Sequence, residues 1–205
     1  MIAIIDYGVG NLFSLQSSLK AIGEEAVVTG DEKQIRRAGK IILPGVGAFG
    51  DAADKLKLTG MSELVKEEAR EGKPILGICL GMQLLFDRSL EYGVHEGLGL
   101  IKGEVRPIAP VIPEGLDVPH MGWNRLHFTE NAPRSPIFRS LSEGDFVYFV
   151  HSYAGFDCRE SCTATTDYGI PLTAAVQREN VYGTQFHPEK SGKTGLQILK
   201  EFAVL

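Results

Sequence analysis

The stretch Pro74-Ile75-Leu76-Gly77-Ile78-Cys79-Leu80-Gly81 decides the fold of this chain. It joins an apolar run to a segment that continues through Met82, Leu84, Leu85 and Phe86, and glycines flank the cysteine. This pattern predicts a buried strand at residues 74–78, a sharp turn at Cys79 and a helix from the turn through Phe86. Small residues are needed at positions 77 and 81, because side chains there would collide with neighbouring elements.

Outward from this stretch, the first half of the chain alternates short apolar runs with amphipathic segments. Strands are predicted at residues 2–6, 26–29 and 40–43, and a helix at residues 11–22, where Asn11 is a suitable N-cap and apolar residues recur every three or four positions. Apolar strands separated by helices predict a mostly parallel sheet that is covered on both faces.

The second half of the chain has a different pattern. Strand candidates follow one another at residues 100–107, 120–128, 146–150, 163–166, 172–177 and 181–186, and they predict antiparallel additions to the sheet. Prolines between residues 107 and 119 predict a surface loop, and residues 191–205 predict a closing helix. We therefore expect a three-layer α/β sandwich of the flavodoxin-like kind, built as one domain over residues 1–205.

Composition narrows the class of protein. Apolar residues make up 43% of the chain and charged residues 23%, which is typical of a globular protein. The net charge is -5 and the basic residues are scattered, so a nucleic-acid or membrane partner is not expected. No leader peptide or membrane span is recognisable, and the three cysteines do not suggest a disulfide framework. We expect a cytoplasmic protein.

Cys79 is the first candidate for chemistry. The turn at residues 77–81, called the elbow below, resembles a nucleophile elbow with cysteine in place of serine. A thiol at a helix N-terminus lies at the positive end of the helix dipole, which favours the reactive thiolate. A buried structural cysteine in a tight turn explains this segment equally well when it is considered alone.

The segment His187-Pro188-Glu189 changes that balance. Residues two apart in an extended chain point to the same side, and Pro188 keeps the backbone extended, so the imidazole and the carboxylate can reach each other. His187 would activate Cys79 and protonate the leaving amine, while Glu189 would orient the ring. Without a candidate nucleophile, a strand-end histidine beside a solvated glutamate would be the better interpretation.

A third segment, Pro44-Gly45-Val46-Gly47, follows a strand candidate. Its glycines allow the backbone N–H groups of Val46 and Gly47 to converge near the elbow, where the N–H of Leu80 is a further donor. These groups are candidates for an oxyanion hole. An ordinary glycine-rich loop is the alternative.

Other kinds of site are not expected. Gly8-Val9-Gly10 is followed by Phe13 where a dinucleotide fingerprint needs its third glycine, and no phosphate-binding loop is present. Cys158, Cys162 and the remaining histidines have no zinc-like spacing. We expect no cofactor and no metal.

The two chemical motifs together resemble those of the class I (triad) glutamine amidotransferases. The matching segments are residues 77–83 (GICLGMQ) and 183–189 (GTQFHPE). The resemblance implies glutamine hydrolysis through a γ-glutamyl thioester on Cys79, with release of ammonia. It also implies a set of glutamine-binding residues, namely Gly47, Gln83, His151, Ser152 and Tyr153.

A narrower resemblance, to the glutaminase subunits of imidazole glycerol phosphate synthases, covers nearly the whole chain. It is carried by residues 6–11 (DYGVGN), 43–49 (LPGVGAF), 119–124 (PHMGWN) and 149–153 (FVHSY). It implies a heterodimer with a (β/α)8-barrel cyclase subunit that uses the ammonia in histidine biosynthesis. It also implies a partner-facing set, Asn11, Met121, Trp123, Tyr148 and Lys190, although core packing is an alternative for Trp123.

Three other functions stay open at this point. The triad is indifferent to the ammonia acceptor, so glutaminases of other pathways share it; a cysteine peptidase or chaperone-like protein, or a silent binding subunit, could share the sheet. Glu189 beside His187 argues against a peptidase, and an intact triad argues against silence. The sequence continues for 16 residues after Glu189 (205 minus 189), so we expect the ammonia to be used on another polypeptide.

Overall fold

The computed structural model describes residues 1–130 and 133–205. The helices are α1 (Leu12–Ala21), α2 (Glu32–Arg37), α3 (Phe49–Leu58), α4 (Met61–Arg70), α5 (Leu80–Leu84) and α6 (Gly192–Ala203), and short 3-10 turns cover Pro136–Phe138 and Pro188–Lys190. The strands are β1 (Ile2–Ile5), β2 (Ala26–Thr29), β3 (Lys40–Leu43), β4 (Ile75–Ile78), β5 (Phe86–Ser89), β6 (His95–Glu96), β7 (Ile101–Pro107), β8 (His120–Arg125), β9 (His127–Phe128), β10 (Phe146–His151), β11 (Tyr153–Phe156), β12 (Cys162–Asp167), β13 (Pro171–Arg178) and β14 (Val181–Thr184).

The central sheet of the described residues has the strand order β2-β1-β3-β4-β14-β13-β12-β9. Neighbours from β2 to β14 pair in parallel, whereas β13, β12 and β9 extend the sheet with antiparallel pairing. Every residue of β1 and β4 is buried, as expected of parallel strands covered on both faces. The prediction of a mostly parallel sheet with antiparallel additions is confirmed.

Two core layers flank this sheet, because successive side chains of a strand point to opposite faces. Ala3 and Ile5 pack with residues of α2, α3 and α4 on one face. Ile2 and Ile4 pack with residues of α1 and α6 on the other. The three-layer arrangement expected from the sequence is therefore confirmed.

The local signals for α1 are confirmed. The Asn11 side-chain oxygen accepts a hydrogen bond from the Ser14 N–H at 3.5 Å, and Leu15 and Leu19 are buried. An N-cap of this kind satisfies one of the free donors of the first turn.

Several predicted strands are arranged differently from the expectation. β14 lies parallel to β4, because the tight β13–β14 hairpin reverses the chain and inserts β14 next to β4. β7 belongs to a separate sheet with the order β11-β7-β5-β6, and β8 pairs with β10 in a two-stranded ribbon. The single strand expected at residues 120–128 is divided at Leu126, which is fully buried between β8 and β9.

The helix after Cys79 is shorter than predicted. It ends at Leu84, and Phe86 begins β5 instead. The Phe86 ring is fully buried against Gly155, and it leaves no room for a side chain at position 155. Tertiary packing of one aromatic ring therefore overrides the helical periodicity of the segment.

Residues 108–119 contain no helix or strand, as predicted, and most of them are exposed. No helix within the described residues is long and apolar enough to span a bilayer.

Candidate active site

Parallel pairing of β4 with β14 brings the two chemical motifs together. Gly77 faces Gly183 and Ile78 faces Thr184 in the register of these strands. Because both strands end at the same edge of the sheet, Cys79 and the segment that begins at His187 leave the sheet side by side. The sequence separation of the two motifs is large, but the sheet makes them neighbours.

Cys79 occupies a strained turn between β4 and α5. Its φ is +54°, in the left-handed region that is uncommon for residues other than glycine, and its N–H donates to the Thr184 carbonyl at 2.8 Å. A Cβ at position 77 would lie 2.7 Å from the Gly81 carbonyl oxygen, and one at position 81 would overlap the Leu43 carbonyl. The predicted need for small flanking residues is confirmed.

His187 is buried between Cys79 and Glu189. Its Nδ1 lies 2.8 Å from Glu189 Oε1, and both side chains are almost fully enclosed. Burial alone lowers the pKa of His187, but hydrogen bonds to Cys79 and Glu189, together with their charges, outweigh burial and raise that pKa to about 9. Since Nδ1 is engaged by the carboxylate, Nε2 is left for the thiol.

The turn that carries His187 is anchored from behind. The Ser191 hydroxyl donates to the His187 carbonyl at 2.6 Å and accepts from the Tyr148 N–H at 3.0 Å. The His187 N–H donates to the Tyr148 carbonyl at 3.0 Å. These bonds tie the 3-10 turn to β10 and fix the direction of the imidazole.

The 44–47 loop lies beside the elbow. Val46 is 44% exposed, and Gly47 has a φ of +99°, a conformation that favours glycine. Leu80 opens α5, so its N–H belongs to the first helical turn, where the helix offers no acceptor. All three predicted oxyanion residues line the same cavity as Cys79.

That cavity has a volume of about 600 Å³, is open to solvent and is bounded by both motifs. The five residues that the family resemblance assigns to glutamine binding all line it: Gly47, Gln83, His151, Ser152 and Tyr153. The Gln83 amide donates to the Tyr153 carbonyl at 3.0 Å and to Gln185 Oε1 at 3.1 Å. A cavity of this size holds an amino acid with room to spare.

Two residues of the cavity region were missed by the sequence analysis. Glu91 is 8% exposed and lines the cavity, and its Oε2 accepts the Phe49 N–H at the start of α3 at 2.6 Å. Gln185 is fully buried, and its amide nitrogen lies 3.8 Å from Cys79 Sγ. Glu91 stands in an ordinary polar segment, so no local signal could have identified it, whereas Gln185 lies inside a quoted motif.

His151 and His120 form a buried chain of neutral rings. His151 Nδ1 lies 2.8 Å from the Tyr153 carbonyl, which only accepts, so Nδ1 carries the proton and Nε2 accepts from His120 Nδ1 at 3.0 Å. Burial lowers the pKa of His151 to about 3 and that of His120 to about 4. The His120 ring is also stacked between Phe149 and Tyr168.

We expect this pair to make the fold sensitive to acid. Both pKa values lie below the ordinary value of 6.5, so the unfolded chain takes up protons that the folded chain excludes. The full stabilisation is present above pH 6.5, and as pH falls towards 4 each ring should remove up to about 1.4 kcal/mol per pH unit from the free energy of unfolding. Urea unfolding of wild type, His120→Gln and His151→Gln between pH 7.5 and 4.5 measures this slope. Each variant should have a shallower slope, and equal slopes would contradict the expectation.

The family model "Glutamine amidotransferase class-I" matches residues 3–205. The chain belongs to this family. It is 51% identical over 204 residues to the imidazole glycerol phosphate synthase subunit HisH of Sulfurimonas denitrificans, covering 98% of this chain and 97% of that one. It is 49% identical over 203 residues to the HisH subunit of Caldanaerobacter subterraneus, with 98% and 97% covered.

Solved structures of the family share the fold at low sequence identity. A glutamine amidotransferase aligns with a TM-score of 0.76 at 18% identity, with 100% of both chains covered. PurLQS from Thermotoga maritima aligns with a TM-score of 0.74 at 19% identity, covering 98% of this chain and 96% of that one. These likenesses establish the α/β fold of the class I amidotransferases for this chain.

The predicted partner-facing residues fall into two places. Met121 and Trp123 on β8 are 65% and 55% exposed, so core packing does not explain Trp123. The Trp123 ring meets Tyr148 of β10 edge-on, and Lys190 Nζ lies 5.9 Å from the centre of the Tyr148 ring. Asn11 is exposed at the start of α1 and lines a small cleft that His187 and Glu189 also line.

Across the described ranges 1–130 and 133–205, no three His, Cys, Asp or Glu side chains are grouped to hold a metal ion. Cys158 and Cys162 are buried, and burial raises the pKa of both thiols, that of Cys162 to about 12.

Proposed function

We infer that this chain is the glutaminase subunit of an imidazole glycerol phosphate synthase, with residues 1–205 forming one amidotransferase domain. It hydrolyses glutamine to glutamate and ammonia. The observation that carries this proposal is that a strained Cys79 and a His187 held by buried Glu189 line the same cavity. Identity of about one half to HisH subunits over nearly the full length supports the assignment to histidine biosynthesis.

The reaction begins with proton transfer from Cys79 to His187. The thiolate attacks the γ-carboxamide carbon of glutamine, and backbone N–H groups among Val46, Gly47 and Leu80 stabilise the negative oxygen of the tetrahedral intermediate. The protonated His187 gives its proton to the amide nitrogen, ammonia leaves, and a γ-glutamyl thioester remains. Water then attacks the thioester with His187 as the base, which releases glutamate and restores the thiol.

Recognition of glutamine uses the opposite wall of the cavity. Glutamine carries an α-ammonium group. Glu91 can offer it the carboxylate oxygen Oε1, because Oε2 already accepts the Phe49 N–H at the start of α3. Gln83 and Ser152 supply neutral polar contacts, and His151 stays uncharged because burial lowers its pKa to about 3. The lining thus holds one acidic side chain, Glu91, and one basic side chain, Lys190, and this pair suits a zwitterion better than it suits an anion.

Ammonia is consumed on a second subunit, which we propose to be a (β/α)8-barrel cyclase in a cytoplasmic heterodimer. Exposed Met121 and Trp123, with half-buried Tyr148 and with Lys190, offer it an aromatic and basic surface next to the cavity. Asn11 offers a separate polar contact at the start of α1. Aromatic side chains are enriched at protein interfaces. A docked partner also excludes water, which would otherwise take up the ammonia. No cofactor or metal enters this scheme.

The test is glutamate release from glutamine by the chain alone and with a candidate cyclase plus its ribonucleotide ligand. We expect weak release alone and at least roughly tenfold stimulation in the complex, since a partner that completes the site acts on the transition state. Cys79→Ala measures the background. Release that is strong and indifferent to the cyclase would retain the glutaminase but contradict the assignment to this synthase.

A further inference from the structure

Tyr7 is a buried tyrosine within the quoted segment 6–11, and neither the resemblance nor the proposed mechanism gives it a role. It is 3% exposed and lies just after β1. Its hydroxyl donates to the Pro44 carbonyl at 2.8 Å, across 37 positions of sequence. The bond therefore reaches the first residue of the 44–47 loop.

The Tyr7 hydroxyl also packs against the next residue of that loop. A Cβ placed on Gly45 would lie 2.9 Å from the Tyr7 oxygen, 2.9 Å from the Gly81 backbone nitrogen and 3.0 Å from the Leu80 Cβ. Gly45 thus packs, without a side chain of its own, against both the Tyr7 hydroxyl and the elbow. No larger residue fits there without a shift of backbone.

The tip of the loop, Val46 and Gly47, is packed less closely than its root, Pro44 and Gly45. Space is open within 4 Å of a Cβ placed on Gly47, and Val46 is 44% exposed. The direction of the Val46 and Gly47 N–H groups therefore depends on where Pro44 and Gly45 are fixed. Tyr7 supplies the side-chain hydrogen bond at that root.

We propose that Tyr7 is a positioning residue that holds the root of the 44–47 loop against the elbow, so that the loop amides face the γ-carbonyl of glutamine on Cys79. This inference rests on the proposed glutaminase function. Tyr7 touches no reacting atom, and it acts through the backbone of Pro44 and Gly45.

The hydroxyl is a donor throughout the working pH range. Burial raises the pKa of Tyr7 well above its usual value, and the negative charge of Cys79 raises it further. Deprotonation would place a second anion beside the thiolate and break the bond to Pro44. The hydrogen bond from Tyr7 to Pro44 is therefore insensitive to pH throughout the range in which His187 titrates.

Removal of the hydroxyl should impair the chemical step rather than binding. Loss of one oxyanion donor costs roughly 100- to 1,000-fold in kcat, so a misdirected donor in Tyr7→Phe should cost roughly 10- to 100-fold. KM for glutamine should stay within about twofold, because an interaction made only in the transition state does not alter ground-state binding. A purely structural tyrosine would change the unfolding midpoint but leave kcat of the folded fraction unaltered.

The experiment compares wild type, Tyr7→Phe and Tyr182→Phe in complex with the cyclase. Tyr182 is a matched control, since it is 6% exposed and packs on Phe202 of α6, away from the 44–47 loop. Steady-state kinetics give kcat and KM, and mass spectrometry gives the rate at which iodoacetamide alkylates Cys79. Alkylation needs the thiolate but no oxyanion hole, so it should be unchanged in Tyr7→Phe.

The outcomes separate a positioning role of Tyr7 from a purely structural role. A fall in kcat confined to Tyr7→Phe, with normal alkylation, supports the proposal. A kcat within twofold of wild type, or an equal fall in alkylation, overturns it.

If Tyr7→Phe does not fold, a second variant carries 4-aminophenylalanine at position 7, which keeps an N–H donor. This variant should retain at least half of wild-type kcat, and failure to do so also overturns the proposal. If wild type itself releases no glutamate, the proposed function fails and the role of Tyr7 fails with it, whereas the preceding outcomes concern Tyr7 alone.

Discussion

Cys79→Ala and His187→Gln should each lower kcat for glutamine hydrolysis by roughly 10,000-fold or more, and the double variant should be no worse than either single one. The thiol cannot attack without a base, and the base has nothing to activate without the thiol. Groups that act as one unit therefore lose their whole effect when either is removed. This is the largest change in activity that we expect from any substitution in the chain.

Glutamate release in the complex, with single and double variants in parallel, measures this coupling. Cys158→Ala is the matched control, because it removes a buried thiol that lines a different cleft from His187, and it should retain kcat within about twofold. A trapped γ-glutamyl thioester should be found in wild type and not in Cys79→Ala. Additive losses in the double variant would mean that the two groups act separately.

Gly81→Ala should lower the free energy of unfolding by about 3 kcal/mol or more. A Cβ at this position overlaps the Leu43 carbonyl oxygen and lies 2.8 Å from the Leu43 carbonyl carbon. Leu43 ends β3, which is paired on both sides in the central sheet, so its backbone cannot retreat. The methyl group must instead push the elbow away from the sheet, so activity should fall as well.

Gly39→Ala is the control for this prediction. A Cβ there lies 4.0 Å from its nearest neighbour, the Met1 carbonyl, and the position is exposed. The change should be within about 0.5 kcal/mol of wild type, or slightly stabilising, because alanine restricts the unfolded chain. Urea unfolding of both variants decides the matter, and equal midpoints would show that the elbow tolerates a methyl group.

The parts of the fold that sequence predicts well are those with strong local patterns. Residues 2–5, 41–43 and 75–78 form runs without a polar side chain, and burial on both faces of a parallel sheet produces that pattern. Strand direction was less accessible, because the apolar pattern of residues 181–184 is the same for parallel and antiparallel pairing. The end of α5 depends on the contact of Phe86 with Gly155, which no local window contains.

The candidate site likewise contains residues that have a local sequence signal and residues that do not. Cys79, His187 and Glu189 stand in segments whose spacing has a chemical reason, so sequence could nominate them and the sheet brings them together. No role could be assigned to Tyr7 or Glu91 from the sequence, since the role of each depends on one backbone group that is distant in sequence. In the sequence, Tyr7 is only a tyrosine next to a strand, and Glu91 is only a glutamate in a polar segment. Their roles become visible when the structure places Pro44 beside Tyr7 and Phe49 beside Glu91.

The insertion of β14 beside β4 also has a consequence during protein synthesis. Ile75 pairs with Val181, so 106 residues separate the two partners (181 minus 75). Until those residues have left the ribosome, β4 is an open edge with three apolar side chains and a glycine, the kind of surface through which nascent chains aggregate. The thiol is thus made long before its base, and a chain stalled in between would be both inert and in need of a chaperone.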